Sequence, residues 1–477
     1  MKKSISYNAF LNVLKTFFSL LFPLITFPYA SRILGPEGIG KVQFSHSIIL
    51  YFTMIAGLGI GSYSVREAAK VRNDEDKLTK IVKEVLIINL VSTFIAYALL
   101  VCAMFCIPKF HDYKVLLIVY SGTILFTTLG MDWLYTAEEE FQYITIRSFV
   151  FQLISLILLF IFVRKRTDYV IYAAISVVSN VGSNICNFIH SRKYVSYFTK
   201  CKIELKRHIK PIFILFGMQI VASVYLILDT TVLGFISGDL EVGYYSAATK
   251  INKIVVALVS SAFTVFLPRL SSLLAENERQ AFDDLVSKGI KFLIIFSIPS
   301  AVGLCLLSHS IILLFSGYGY VNAVPAMMIM TPIIITISIS NFIGTYIFIP
   351  MGKEKLTFYS VIIGAIINLC LNLILIPKYG AFGAGFATTI AETGVAVVLI
   401  LMSRRFIKIQ FPIKHFLQCI FATLLMTVFV YLISVFLDNI YIKTILGVCI
   451  GVLIYLLTLV LFKNEFVFMF LNKFKKR

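Results

Sequence analysis

Residues 83–107 read KEVLIINLVSTFIAYALLVCAMFCI. Beyond Lys83 and Glu84 the run carries no charge, and its few polar side chains are small or amphipathic. A helix rises 1.5 Å per residue, so about 20 such residues span the roughly 30 Å of bilayer hydrocarbon. The run is too long for a strand, and a soluble helix would carry a polar face that is missing here. The same pattern recurs along the chain, fourteen times in all, at about 9–32, 42–64, 83–107, 114–135, 144–163, 169–190, 211–236, 245–267, 290–314, 322–349, 357–376, 380–403, 414–436 and 441–462.

Composition agrees. The 477 residues are 59% hydrophobic and only 14% charged, with a mean hydropathy of +0.91. Soluble domains are roughly 45–50% apolar and about 25% charged. The excess apolar surface must face lipid. The net charge of +19 would suggest nucleic acid in a soluble protein, but here the basic residues sit between the apolar runs, where they act as topology signals and anionic-lipid contacts. With the N-terminus in the cytoplasm, the inner segments hold 31 Lys and Arg and the outer loops nine. Arg164, Lys165 and Arg166 are the exception, falling outside. The first run extends from Ala9 to about Ile33, too long for a cleaved signal segment, and is read as an uncleaved span. The eight Cys lie mostly within apolar runs and form no C-x-x-C pair, so neither disulfides nor zinc are expected. The largest loop, 191–210, has about 20 residues and leaves no room for an attached soluble domain.

The chain also repeats itself. LGPEGIGKVQFS (34–45) follows the first span, and LGFISGDLEVGYYS (233–246) follows the seventh. An offset of 203 places Gly40 on Gly243 and Arg66 on Arg269. Six spans per repeat preserve orientation, which implies two lobes related by an axis along the membrane normal. The expected fold is an all-α polytopic membrane protein of fourteen transmembrane helices, with both termini cytoplasmic. Its parts are an N-terminal lobe (1–210), a C-terminal lobe (211–403), and two further helices with a basic tail (404–477).

Ionisable groups inside spans are expensive, roughly 2.5–3.5 kcal/mol each by insertion scales, and they usually face a cavity or a partner. Asn8, Asn12, Lys15, Ser19 and Thr26 fall on one face of the first span, ahead of Arg32. This face is either a cavity wall or an interhelical seam with Lys15 snorkelling to the headgroups. Ser246, Lys250, Lys253, Ser260 and Thr264 form a second stripe. Its two lysines, one turn apart, call for an anionic ligand, water or an acidic partner such as Asp229; a structural Asp229–Lys250 pair is the alternative. The sixth span carries Ser176, Asn180, Ser183 and Asn187 at helical spacing, and the seventh carries Gln219, Ser223 and Thr230. Asn341, Asn368 and Asn372 are expected mainly to join helices. Glu392 is a candidate for carrying a coupling proton. Arg66 and Arg269 end the second helix of each half and read as gate or topology residues.

Catalytic motifs fail. Gly35-x-x-x-x-Gly40-Lys41 lacks the Ser or Thr of a phosphate loop, having Val42, and no strand precedes it. The six His are scattered, and no catalytic or metal-binding constellation emerges. The expectation is a protein that is not an enzyme and uses no cofactor or metal.

Several segments resemble the Wzx-type flippases of the polysaccharide transporter family, within the multidrug/oligosaccharidyl-lipid/polysaccharide exporter superfamily. They are FPYASRILGPEGIGKVQFS (27–45), GIGSYSVREAAKVRND (59–74), MDWLYTAEEEFQYITIRS (131–148), LDTTVLGFISGDLEVGYYSAATKI (228–251), FLPRLSSL (266–273) and KYGAFGAGFATTIAE (378–392). Ala137 departs from the pattern, where Gly is expected. The resemblance implies a flippase of the bacterial cytoplasmic membrane. Its implied substrate is an undecaprenyl-diphosphate-linked oligosaccharide for O-antigen, capsule or a related polymer, moved by alternating access. Lys15, Arg32, Lys250 and Lys253 would contact the head group, with Asn12, Asn180 and Gln219 on the sugars and Asp229 or Glu392 as coupling sites. Membrane lipids, a polysaccharide polymerase and a chain-length regulator are the expected partners, and no nucleic acid. A lipid II flippase, a cation-coupled multidrug exporter of the same superfamily and a membrane-embedded polymerase are the competing readings. The exporter would need an acidic cavity in the first lobe, and the polymerase a long catalytic outer loop; the sequence offers neither.

Overall fold

The computed structural model describes residues 5–197, 199, 202–261, 263–407 and 411–464, apart from the side chains of 5–17, 20, 218 and 222. Every regular element among them is helical. Two compact units divide the chain, Met1–Gly243 and Tyr244–Arg477. The first holds α1 (Ile5–Gly57), α2 (Ile60–Val71), α3 (Glu75–Cys106), α4 (Lys114–Gly130), α5 (Asp132–Ala137), α6 (Phe141–Phe162), α7 (Tyr169–Val177), α8 (Asn184–His190) and α9 (Lys206–Ile236). The second holds α10 (Asp239–Ser261) beyond its first turn, α11 (Phe266–Ala275), α12 (Arg279–Leu306), α13 (Ser308–Ser316), α14 (Val324–Met330), α15 (Ile333–Asn341), α16 (Glu354–Ser403), α17 (Ile413–Phe436) and α18 (Ile440–Leu461).

Among the described residues, nine helices are long and apolar enough to cross a membrane, or twelve if each of three bent pairs is one crossing. The protein is therefore a multi-pass membrane protein. Large apolar side chains point outward along the spans: Phe94 and Phe105 on α3 are 75% and 76% exposed. In water such a surface would aggregate; in hydrocarbon it is solvated. α3 starts where the sequence provides a start: Asp74 caps it by accepting the Lys77 N–H at 3.0 Å, with Glu75 and Asp76 in the first turn.

Two helices are too long for one crossing. α1 has 53 residues and α16 has 50, roughly 80 and 75 Å at the helical rise. Each is broken by a glycine in a conformation other residues avoid, Gly35 at φ 70° in α1 and Gly380 at φ 51° in α16, with Pro36 and Pro377 close by. Each unit has its own apolar core. One gathers Ile60, Val82, Trp133 and Leu134 of α2, α3 and α5, and the other gathers Ile294, Cys419, Met426 and Leu459 of α12, α17 and α18.

The units part at Gly243–Tyr244. α9 packs on α1 and α2, and its Thr231 hydroxyl meets that of Ser47 at 3.2 Å. The departure at Ala137 also has a local explanation. Ala137 ends α5 in helical conformation, and the left-handed position that would want glycine is Glu139, at φ 58°.

Candidate transport site

α10 packs mainly along one side. Tyr245, Ala248, Ile251, Asn252 and Val256 are buried, with the Asn252 amide donating to the carbonyls of Ala248 at 3.0 Å and Met327 at 3.3 Å. The Tyr245 hydroxyl meets that of Thr388 at 3.2 Å. Lys250 and Lys253 stand on the less covered side, Lys250 half-buried and Lys253 exposed. The helical period that assigns one face to packing thus leaves two ammonium groups on the other.

Buried charge in the first unit is braced. Arg147 is 7% exposed and donates to the Asp132 carboxylate at 3.0 Å and the Ser183 carbonyl at 3.1 Å. Asn187 donates to the same Asp132 oxygen and to the Gly130 carbonyl, both at 2.7 Å. A second brace is centred on Glu84, which is fully buried. Its carboxylate accepts the Glu204 N–H at 2.6 Å and the Arg207 guanidinium, and it lies 2.8 Å from His208 Nε2. The Tyr63 hydroxyl meets the other His208 nitrogen at 2.6 Å, closing a chain across α2, α3 and α9. Lys80 reaches Glu204, outside the spans, at 3.1 Å and holds that carboxyl below its usual range. The sequence conceals both braces, because Arg147, Glu84 and His208 lie at span ends, where a charge reads as a topology signal.

A third cluster joins the start of the second helix in each half. A Cβ on Gly40 would lie 1.8 Å from the Asp239 carbonyl oxygen, and one on Gly243 2.0 Å from that of Pro36. The repeat offset of 203 carries Gly40 to Gly243 and Pro36 to Asp239, so each contact is the image of the other. Beside these contacts the Tyr113 hydroxyl donates to the Asp239 carboxylate at 2.6 Å, and Lys109 donates to the carbonyls of Gly234 and Phe235 at the end of α9.

The expected site residues are scattered among these environments. Lys15 and Asn12, with Asn8, lie outside the described side chains. Thr26 donates to the Phe22 carbonyl at 3.0 Å, and Arg32 is exposed. Asp229 is 6% exposed in the first unit, Gln219 is exposed on α9, and Glu392 is half-buried on α16. Arg66 is exposed beside Glu67 at 3.1 Å, and Arg269 is exposed on α11. Both arginines ride on short helices that come after a break in their span.

The expected stripe Ser176–Asn180–Ser183–Asn187 does not hold as one face. Residues 178–182 form a π-helical turn between α7 and α8, whose wider winding shifts the phase of the residues after it. Asn180 stays exposed and donates to Ser176, whereas Ser183 and Asn187 turn inward onto the Arg147–Asp132 brace.

Residues 5–274 match the family described as polysaccharide biosynthesis protein, and residues 215–374 match the family described as MatE. The chain is 26% identical over 387 residues to the "Putative O-antigen transporter" of Escherichia coli K12, covering 80% of this chain and 93% of that one. It is 24% identical to the capsular polysaccharide biosynthesis protein CapF of Staphylococcus aureus, covering 82% and 96%. Among solved structures, the lipid II flippase MurJ in an inward closed conformation superposes with a TM-score of 0.79, over 96% of this chain and all of that one, at 21% identity. The fold is therefore that of MurJ, and the chain belongs to the polysaccharide biosynthesis protein family.

Proposed function

We propose that the protein is a flippase that moves undecaprenyl-diphosphate-linked oligosaccharide units from the inner to the outer leaflet of the bacterial cytoplasmic membrane, for O-antigen, capsule or a similar polymer. Family membership and the names of the full-length relatives support the pathway. The observation that carries the mechanism is the pair Lys250 and Lys253, one turn apart in a spanning helix, on its less covered side. Two ammonium groups at that depth are expensive, and they suit an anionic cargo. A diphosphate crossing hydrocarbon needs its lost hydration replaced by such donors. Lys15 and Arg32 join them as head-group contacts, Asn12, Asn180 and Gln219 face the sugars, and Asp229 or Glu392 carries any coupling ion.

Three bent pairs bring the crossings to twelve, and counting each glycine-broken long helix twice brings them to fourteen. An even number puts both termini on one side, and the lysine and arginine bias supports the cytoplasm as that side. The repeat implies two six-helix lobes with α17 and α18 appended. The paired Gly40–Asp239 and Gly243–Pro36 contacts close the outer side of the pathway, and Arg66 and Arg269 flank its inner side. An apolar groove of about 390 Å³, walled by Phe296, Leu307, Met426, Gly451 and Tyr455, suits a stretch of the isoprenoid tail. A polymerase and a chain-length regulator would receive the product.

Substituting Lys250 and Lys253 by Ala, singly, should abolish surface polymer in a strain depleted of its own flippase, with normal membrane insertion of the variant. Normal polymer from both variants would overturn the head-group assignment. Rescue of a MurJ-depleted strain instead would identify lipid II as the cargo.

A further inference from the structure

At one end of the second unit, Lys291 of α12, Lys414 of α17 and Lys463 after α18 line a single pocket of about 240 Å³, together with Pro412, His415 and Gln418. Among the described residues, no carboxylate lines it. All three lysines belong to segments that the charge bias assigns to the cytoplasmic side. We infer that this pocket binds the phosphate headgroup of an anionic membrane phospholipid in the inner leaflet, a site separate from the proposed transport pathway.

The pocket is built rather than incidental. Asn464, fully buried, donates to His415 Nδ1 at 3.0 Å and to the Gln418 amide oxygen at 2.8 Å. With Nδ1 accepting, His415 carries its proton on Nε2 and donates it to the Lys291 carbonyl at 3.1 Å. Gln418 in turn donates to the Phe462 carbonyl at 3.1 Å. This network ties α12, α17 and α18 into a rigid floor and uses both imidazole nitrogens, so the charge of the pocket comes from its lysines.

Lys463 adds a second, independent observation. It sits at φ 50°, closing α18 with its N–H on the Val460 carbonyl and the Asn464 N–H on the Leu459 carbonyl. Helices ending this way usually place glycine there, because a side chain is strained in the left-handed region. Lysine at this position keeps the strain and gains a charge at the pocket rim. Strained positions of this kind cluster where a ligand is held. α17 begins at the pocket with no acidic residue in its first turn, so its positive dipole end also favours an anion. Three like charges round one pocket add their potentials, and a negative headgroup lowers their mutual repulsion.

The test uses the full-length protein in detergent and native mass spectrometry, with dioleoylphosphatidylglycerol, dioleoylphosphatidylcholine and inorganic phosphate as probes. Wild type should retain phosphatidylglycerol in preference to phosphatidylcholine. Each of K291Q, K414Q and K463Q should weaken that binding about fivefold, the share of one lysine near an anionic surface. A charge-matched control, K353Q/K355Q/K378Q, should bind as wild type. K463G removes the charge but relieves the backbone strain, so its melting temperature should hold or rise while lipid binding falls. Wild-type phosphatidylglycerol binding by K291Q/K414Q/K463Q, or by K463G, would overturn the proposal. So would tight binding of inorganic phosphate with no retention of the phospholipid, which would mark a soluble-anion site. Since binding and not transport is read, failure here leaves the flippase reading standing, and loss of that reading leaves this result unchanged.

Discussion

Replacing Gly40 or Gly243 by Ala probes the repeat and the proposed outer closure together. At Gly40 the new Cβ would lie 1.8 Å from the Asp239 carbonyl oxygen, whereas ordinary contact begins at 3.4 Å, so the two backbones must part by about 1.6 Å. At Gly243 the clash with Pro36 is of the same size, 2.0 Å. Overpacking of this kind costs about 1–3 kcal/mol. Charged against the closed arrangement alone, that energy lowers its population relative to an open one about 5- to 150-fold. A cysteine at Ile39, which is fully buried beside Gly40, in a background with the native cysteines changed to Ser, becomes open to an impermeant maleimide from outside only when the contact parts. G40A and G243A should each raise the labelling rate at least fivefold. Because either alanine already separates the shared contact, the double variant should label no faster than the more severe single. Wild-type labelling in either single, or multiplied effects in the double, would refute the reciprocal contact as the outer closure.

The polar residues offer three further tests. K15A should lose surface polymer as K250A and K253A do, with membrane insertion checked by blotting. D132A strands the buried Arg147 guanidinium and should destabilise the protein by about 2–3 kcal/mol, below the full cost of an orphaned buried charge because Asp132 is half-exposed. R147M leaves a carboxylate that can reach water and should cost less, the order being read from melting temperatures in detergent. E84A removes the acceptor shared by Arg207, His208 and the Glu204 N–H and should cost about 3–5 kcal/mol, with E84Q intermediate; equal melting temperatures for E84A and wild type would disprove the brace.

The parts of this fold legible in the sequence are those set by bulk solvation and by repetition. The charge-free run 85–107 forms the body of α3 because only hydrocarbon accepts it. The start of that helix is less plain: Asp74 fixes it well upstream of Lys83, within the stretch 65–82 that reads as loop. The 203-residue offset is visible as a short motif match, and the two glycines it pairs each lie against the other segment's backbone, Gly40 on Asp239 and Gly243 on Pro36. Those contacts also explain why glycine stands at both positions, since a side chain on Gly40 would strike the Asp239 backbone and one on Gly243 the Pro36 backbone.

Phase and depth escape the sequence. A stripe of polar residues predicts one face only while the helix keeps 3.6 residues per turn, and the π-helical turn at 178–182 ends that condition without any proline to announce it. Asn180 and Asn187 therefore share a pattern and not a face: one stays open to the surroundings, the other anchors Asp132. Depth fails for a related reason. A charge at a span end reads the same whether it snorkels to water or folds back onto a buried partner. Only tertiary packing separates Arg66, lying exposed beside Glu67, from Arg147, enclosed by Asp132 and Ser183. The same ambiguity covers Lys463, a tail residue in the sequence and a left-handed helix stop in the structure. Counting charges thus yields an expected orientation, while the work of each charge is assigned by the neighbours the fold supplies.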